Sequence, residues 1–544
     1  MPVRKLTDNL QNIEENRYDI CIIGSGPAGL TLCGELIDSG KKIAVIECGG
    51  LIRNEINDKL REVKNEGEIK IKNNSRERVF GGTSTTWAGL SAPMDKIDLE
   101  KWPIDHEELK KYYRETHRYG FPNIDDFNLG SIDNIRKKSD FTLESENLVE
   151  KIFIAKDPPW NFAEKNGYVF NNINIDLYTD STVIHLSSNK DSAGKTTITN
   201  ILIKNIDGTE YKIFAENFIL CAGGIENVRL LLLSCDTSVT GLGNEYDQVG
   251  RYIMNHPKNN HGIVKLNKPL KDLTYLSGYL HSGWAKYAGI RVNENLQKSL
   301  GILNSYTRFE PIFPWTDSSG VLNFILIVKK LKSLLIWWKS KQKKIVNLKD
   351  WNETGDDSNI ENKFKITSSI IFILKDINNV LLYIVHRLFQ NKKIYIKKLR
   401  LRNFMEMEAR SENRIVLSDE MDRNGKKIPQ ITLNCSDLDK RSLIELHRVL
   451  AEEIKNRNIG VLESNLNNIN PWPINIDASH HIGGTIMGTD PRLSVVDKDL
   501  KVHSVENLYI CSSSVFPTSG CANPTYTICA LAIRLAQKIK SIAK

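Results

Sequence analysis

Apolar and polar positions along this chain fall into blocks that predict a strand, a glycine turn, a helix and a second strand close to its start. Tyr18 to Ile23 is a short, mostly apolar run, the pattern of a parallel strand buried on both faces. It leads into Gly24-Ser25-Gly26-Pro27-Ala28-Gly29, a helix-like segment from Leu30 to Ser39, and a second apolar run from Lys42 to Glu47. A further apolar strand, Asn217 to Leu220, precedes Cys221-Ala222-Gly223-Gly224. Asn413 to Ser418 and Ile428 to Leu433 flank a turn at Arg423-Asn424-Gly425 and read as strands of a second sheet. Val321 to Lys344 predicts a helix in which Leu, Ile, Phe and Trp337-Trp338 mix with seven lysines. Ile366 to Lys393 is a second long apolar pattern ending in lysines, and the polar, acidic stretch Asp350 to Asn362 connects the two as the loop of a helical hairpin. No uninterrupted apolar run approaches the roughly 18 residues that a membrane-spanning helix needs.

Composition changes this picture in two ways. At 544 residues the chain exceeds a single compact core and implies about two domains. With 40% hydrophobic and 26% charged residues it is an ordinary folded protein, which excludes disordered, collagen-like and disulfide-stapled classes. The net charge of +8 invites a nucleic-acid reading, but its location removes it. Val321 to Arg400 holds 17 Lys/Arg against 6 Asp/Glu, a local excess of +11 that leaves −3 for everything else. The nine cysteines are scattered without metal spacing, and the first residues lack the apolar core of a secretory signal. No metal site and a reducing cytoplasm are the expectation.

The first block carries chemistry. In a strand–turn–helix unit, the first glycine permits the tight turn, the second clears a side chain from a pyrophosphate, and the third lets helix and strand pack closely. Phosphate charge then sits on the helix N-terminus. Glu47, about 20 residues past the glycines, stands where a carboxylate accepts ribose hydroxyls and would repel a 2′-phosphate, disfavouring NADP. The chain has a second glycine segment, Arg78-Val-Phe-Gly81-Gly82-Thr83-Ser84-Thr85-Thr86-Trp87-Ala88-Gly89, besides Cys221 to Gly224. NAD needs one such fingerprint, whereas extended FAD touches backbone at several separated places.

Further along stands His480-His481-Ile-Gly-Gly-Thr485-Ile-Met487-Gly, then Ser494-Val-Val-Asp497, Asn507-Leu-Tyr-Ile, Phe516-Pro517 and Ala522-Asn523-Pro524-Thr525-Tyr-Thr527. With Gly250-Arg251, His256-Pro257, Asn413 to Ser418 and Leu438-Asp439, this series resembles the glucose–methanol–choline (GMC) oxidoreductases, in particular their bacterial sugar and alcohol dehydrogenase and pyranose oxidase branch. Members oxidise an alcohol by removing the hydroxyl proton and passing the carbinol hydride to flavin N5. The resemblance implies His481 as the base and Asn523 as the second catalytic residue. It places His480 and Glu406 on the substrate side, with His480 alternatively a packing or supporting residue. Asn523 before Pro524 also reads as a helix N-cap. Cofactor contacts are implied for the glycine segments and for Cys48, Val183, Ser512, Ser513, Pro524 and Thr525. Thr86 stands where some relatives carry a covalently linked His, so non-covalent FAD follows. Cys511-Ser512-Ser513-Ser514 lacks the carboxylate many members use toward the ribityl chain.

The expected fold is α/β: a Rossmann-type FAD-binding domain assembled from discontinuous segments, plus a substrate domain with a mixed or antiparallel sheet and the inserted hairpin. The expected division gives residues 1–100, 175–255 and 476–544 to the flavin domain. It gives 101–174 and 256–475 to the substrate domain, with the basic apolar insertion at 316–400. Expected partners are a small sugar or alcohol and an electron acceptor, oxygen or quinone-like, with no nucleic acid. A lyase on the same scaffold, or a non-catalytic membrane-associated flavoprotein subunit, are the competing functions. For the insertion three readings stay open: packing on the protein, contact of 321–393 with an anionic membrane surface, and a partner interface. The membrane reading adds peripheral attachment to the inner face of the membrane to the cytoplasmic expectation.

Overall fold

The first apolar run forms the strand Arg17–Ile23, the centre of a seven-stranded sheet in the computed structural model. The structure describes residues 14–137, 141–270, 276, 278–339, 366–389, 396–474 and 479–542. Ile43–Ile46 and Glu210–Leu220 flank the central strand in parallel, with Ile22 opposite Val45 on one side and Ile219 on the other. Ile175–Tyr178 and Leu508–Ile510 extend the parallel part, while Ser181–Lys190 and Thr196–Asn205 fold back antiparallel from Glu210–Leu220. These strands come from three separated stretches of chain, and their apolar side chains form one core with the helices Pro27–Leu36 and Pro524–Ile542, which pack on each other.

The glycine turn works by close approach. Gly24 has φ +108°, and a side chain there would meet the Cys221 carbonyl at 2.7 Å. At Gly29 a Cβ would stand 2.1 Å from the Gly24 carbonyl oxygen, so the third glycine is what lets the helix lie against the turn. At Gly26 a Cβ would meet nothing within 4 Å.

The second layer is an eight-stranded sheet, antiparallel at every pairing, that includes Leu148–Lys156, Trp284–Val292, Tyr306–Pro311 and Ile396–Phe404. The helix Asp437–Asn456, opened by a reciprocal Ser436/Asp439 cap, covers its core.

Two expectations are corrected. Arg414–Met421 and Lys427–Thr432 do form strands, but in a separate three-stranded sheet with Lys64–Asn65 rather than in the substrate sheet. Backbone bonds from Ile415 N–H to the Gly250 carbonyl and from Ile253 N–H to the Asn413 carbonyl tie this hairpin beside the helix Gly223–Leu233, which follows the strand Glu210–Leu220 of the first sheet. Among the described residues the insertion holds three helices rather than the two of a hairpin: Ser319–Lys339, Ile366–Lys375 and Ile377–Phe389. The last two bend by 81° at Asp376, whose side chain accepts hydrogen bonds from Ser318, just before the first helix, and from Asn379. The connecting loop Asp350 to Asn362 lies outside the described residues.

The two glycines make a paired prediction for the protein stripped of cofactor. Gly29→Ala should lose about 1–3 kcal/mol of stability, because its new methyl meets a backbone carbonyl that cannot move aside. Gly26→Ala should leave stability unchanged. Chemical denaturation measures both, and equal effects at the two sites would contradict the packing role of Gly29.

Candidate active site

A cavity of about 830 Å³ lies between the two sheets and runs from Glu47 to His480, His481 and Asn523. Its floor at one end is the glycine turn. Glu47 is buried, its Oε2 accepting from the Ser25 N–H at 3.0 Å and the Ser25 hydroxyl at 2.7 Å, and its Oε1 from the Gly49 N–H at 2.8 Å. The Gly81 N–H in turn donates to the Ser25 oxygen at 3.2 Å. One carboxylate thus fastens the first glycine turn to the second glycine segment. Burial pushes the Glu47 carboxyl up, opposed by these donors and by the Arg78 guanidinium.

Beside it, Glu226 binds three guanidiniums: Arg76 at 2.6 Å, Arg78 at 3.0 Å and Arg229 at 3.4 Å. Burial alone would raise its carboxyl; the three cations overcome that and hold it down at about 2. Arg229 also pairs with Asp422 at 2.6 Å, which carries the network across to the three-stranded sheet.

At the other end the imidazoles order themselves. His256 Nε2 faces the Ser519 carbonyl at 3.1 Å, so that nitrogen carries the proton and Nδ1 is the acceptor. His480 Nδ1 lies 2.9 Å from His256 Nδ1 and must therefore donate to it. That leaves His480 Nε2 to accept from the Asn523 amide at 3.2 Å. Burial holds both rings neutral, lowering His256 to about 4 and His480 well below the ordinary histidine value. The Asn255 carboxamide oxygen anchors the backbone N–H groups of His256 and His480. His481 turns another way. Its Nε2 lies 3.2 Å from the Ser75 oxygen, and its carbonyl accepts from the Ser513 hydroxyl at 2.6 Å.

Most residues singled out in the sequence meet in this cavity. Gly24, Gly26, Pro27, Ala28, Glu47, Cys48, Arg78, Gly82, Thr83, Ser84, Trp87, Ala88, Gly89, Val183, Cys221, Ala222, Gly223, Ser512, Ser513, Pro524 and Thr525 line it, with His480, His481 and Asn523. Ser25, Gly29 and Gly81 stand behind the wall and shape it through the contacts above. Glu406 is not brought to the cavity. It is buried, with its oxygens accepting from the Asn304 N–H at 2.6 Å and the Gly520 N–H at 3.2 Å, and burial beside Asp98 raises it to about 8. His480, expected on the substrate side or as a packing or supporting residue, reaches the cavity and binds Asn523. Ser75, Glu226 and Asp422 had no signal in the sequence beyond residue type; His256 stood in a noted motif without a role.

The fold and parts of the chain match known proteins. Residues 409–532 match the GMC oxidoreductase family. The chain is 26% identical over 360 residues to the fructose dehydrogenase large subunit of Gluconobacter japonicus, covering 63% of this chain and 51% of that protein. It is 31% identical over 155 residues to the 6'''-hydroxyparomomycin C oxidase of Streptomyces lividus, covering 26% of each. The chain thus spans about half the length of the first of these relatives and less of the second. The crystal structure of pyridoxine 4-oxidase from Mesorbium loti superposes with a TM-score of 0.53 over 96% of this chain and 98% of that one, at 14% identity. Residues 409–532, which hold His481 and Asn523, thus match a GMC oxidoreductase domain, and the chain as a whole shares the fold of pyridoxine 4-oxidase.

Proposed function

We propose that the protein is an FAD-dependent oxidoreductase that converts a hydroxyl of a sugar or other alcohol to a carbonyl. The observation carrying this reading is the meeting, in one cavity, of a glycine-lined cradle with imidazoles and a carboxamide. The residues fit FAD. Gly26 leaves open space at the start of the helix Pro27–Leu36, where free N–H groups and the helix dipole favour a pyrophosphate. Glu47 stands beside it for ribose hydroxyls, and the Thr83–Gly89 wall, Val183, Ser512 and Ser513 would hold the remainder without a covalent link. When bound, the flavin supplies the two-electron acceptor for the carbinol hydride.

The residues of this chain divide the remaining work. His480 has one ring nitrogen engaged by Asn523 and the other by His256, so it could take a substrate proton only by giving up its hold on Asn523. We therefore give His480 a positioning role and keep His481, whose Nε2 is met by the Ser75 hydroxyl, as the proton acceptor. Asn523, held through one amide N–H, offers its second N–H and its oxygen to the reacting hydroxyl. Pro524 and Thr525 bring the start of the helix Pro524–Ile542 to the cavity wall, where its dipole favours negative charge. The names of the relatives, a fructose dehydrogenase subunit and a 6'''-hydroxyparomomycin C oxidase, agree with a sugar-like alcohol.

Two outcomes are expected. His481→Ala should keep its flavin but reduce it about 100- to 10,000-fold more slowly under anaerobic stopped flow with a good substrate; a wild-type rate would remove His481 from the base role. Gly26→Ala, benign for the stripped protein, should retain markedly less FAD through gel filtration. Full retention would mean that the pyrophosphate lies elsewhere.

A further inference from the structure

Behind the wall that carries Asn523 lies a nest of buried carboxylates. The strip 518–521, which leads into Asn523, is fastened to its surroundings at every residue. The Thr518 hydroxyl donates to the Asp98 carbonyl at 2.6 Å, and the Trp102 indole N–H donates to the Thr518 oxygen at 2.8 Å. The Ser519 oxygen accepts from the Met407 N–H at 3.1 Å, and the Gly520 N–H donates to Glu406 at 3.2 Å. Cys521 Sγ lies 3.8 Å from Asp95 Oδ2. Gly520 has φ +55°, and a Cβ there would stand 2.7 Å from Asp98 Oδ2, so main chain lies directly against a carboxylate. The same strip serves the imidazoles. Its Ser519 carbonyl keeps the proton on His256 Nε2, and the order His256, His480, Asn523 depends on that proton.

The nest holds more negative than positive charge. Asp95, Asp98 and Glu406 face two buried cations, Lys151 and Arg291, and both of these bind Asp95, at 2.8 and 3.4 Å. Arg291 also reaches Glu294 at 3.5 Å. Asp98 and Glu406 are held by uncharged donors. Asp98 accepts from the Asn304 amide at 2.8 Å and the Asp95 N–H at 2.8 Å, while Glu406 accepts from the Asn304 and Gly520 N–H groups. Asn304 thus bridges the two. Lys101 acts on Glu406 from farther out, and Tyr113 and Cys521 are the remaining titratable groups close to the pair. Against the push of burial, the two cations hold Asp95 down; burial and the neighbouring carboxylate raise both Asp98 and Glu406.

We propose that Glu406 and Asp98 are positioning residues for the oxidation: they clamp the strip 518–521 and so hold Asn523 and the His256–His480 pair in register with the reacting hydroxyl. The clamp needs one proton. With Glu406 neutral, the pair carries a single charge beside Gly520; with both ionised, two carboxylates held by uncharged donors repel each other across the strip. The clamp therefore weakens as pH rises through about 8, where Glu406 ionises.

The inference rests on the oxidation reading, and the test keeps the two apart. Flavin-loaded wild type is compared with Glu406→Gln, whose side chain keeps the volume and one acceptor but cannot ionise. In anaerobic stopped flow with a good substrate, the wild-type rate of flavin reduction should fall about tenfold or more as pH rises through the ionisation of Glu406. The variant should keep its flavin and react up to about tenfold more slowly at neutral pH, since one N–H loses its acceptor, but show no such fall. A second readout needs no substrate. The folded Glu406 carboxyl keeps to about 8 a proton that the unfolded chain releases near 4.5, so its stabilising effect is lost between those values. The wild-type thermal midpoint should therefore drop relative to the variant's as pH rises toward 8 and run parallel to it above. A rate that falls alike in both proteins, a wild-type rate with no fall, or midpoints parallel throughout would each overturn the proposal. Midpoints that diverge as stated while no alcohol bleaches the flavin would remove the oxidation reading, and the positioning role with it, but leave the proton on Glu406 standing.

Discussion

The structure depends on backbone meeting backbone with no side chain between. Gly24 lies against the Cys221 carbonyl, a Cβ on Gly224 would stand 2.2 Å from the His481 carbonyl oxygen, and one on Gly483 would stand 2.0 Å from that of Tyr252. These approaches join, in sequence, the first glycine turn, the strand end at Cys221, the histidine segment and the strip leading to His256. They explain why residues hundreds of positions apart share one cavity wall, and why glycine rather than any small residue recurs at each crossing. Glu47 adds the polar counterpart, binding Ser25 on one side of the cradle and Gly49 on the other. A site assembled this way tolerates no slack, because the distance between cofactor cradle and imidazole is set by main chain alone.

The parts legible in the sequence were those whose physics is local. Three apolar strands each followed by glycines announced the cradle, and an unbroken apolar run from Tyr18 to Ile23 announced a strand buried on both faces. What stayed hidden depends on irregular backbone or on distant partners. His480 and His481 lie in neither helix nor strand beyond an isolated bridge at Ile482, so no periodicity tells which of them faces Asn523. The His256–His480 bond spans 224 residues, and the Glu226 network draws on three segments, so spacing carries no trace of either. Glu406 illustrates the opposite error. Expected on the substrate side, it holds the Asn304 and Gly520 backbones from behind the wall. The strands after Asn413 had the right local signal, but where they sit is decided by bonds to Gly250 and Ile253.

Charge follows the same division of labour. The excess that makes the whole chain basic sits in the inserted helices, while the body is slightly acidic. Within the body, the flavin side engages its carboxylates with guanidiniums or backbone donors, and the substrate sheet turns cations toward the cavity.

The central claim is that this cavity carries out oxidation at a carbinol centre. Its most direct test is an anaerobic titration of the wild-type, flavin-loaded protein with a panel of sugars, sugar acids, sugar phosphates and simple alcohols. The account predicts stoichiometric loss of oxidised-flavin absorbance with at least one of them and recovery when an electron acceptor is added. A flavin that stays oxidised while a panel member is cleaved, as in a lyase, would contradict it.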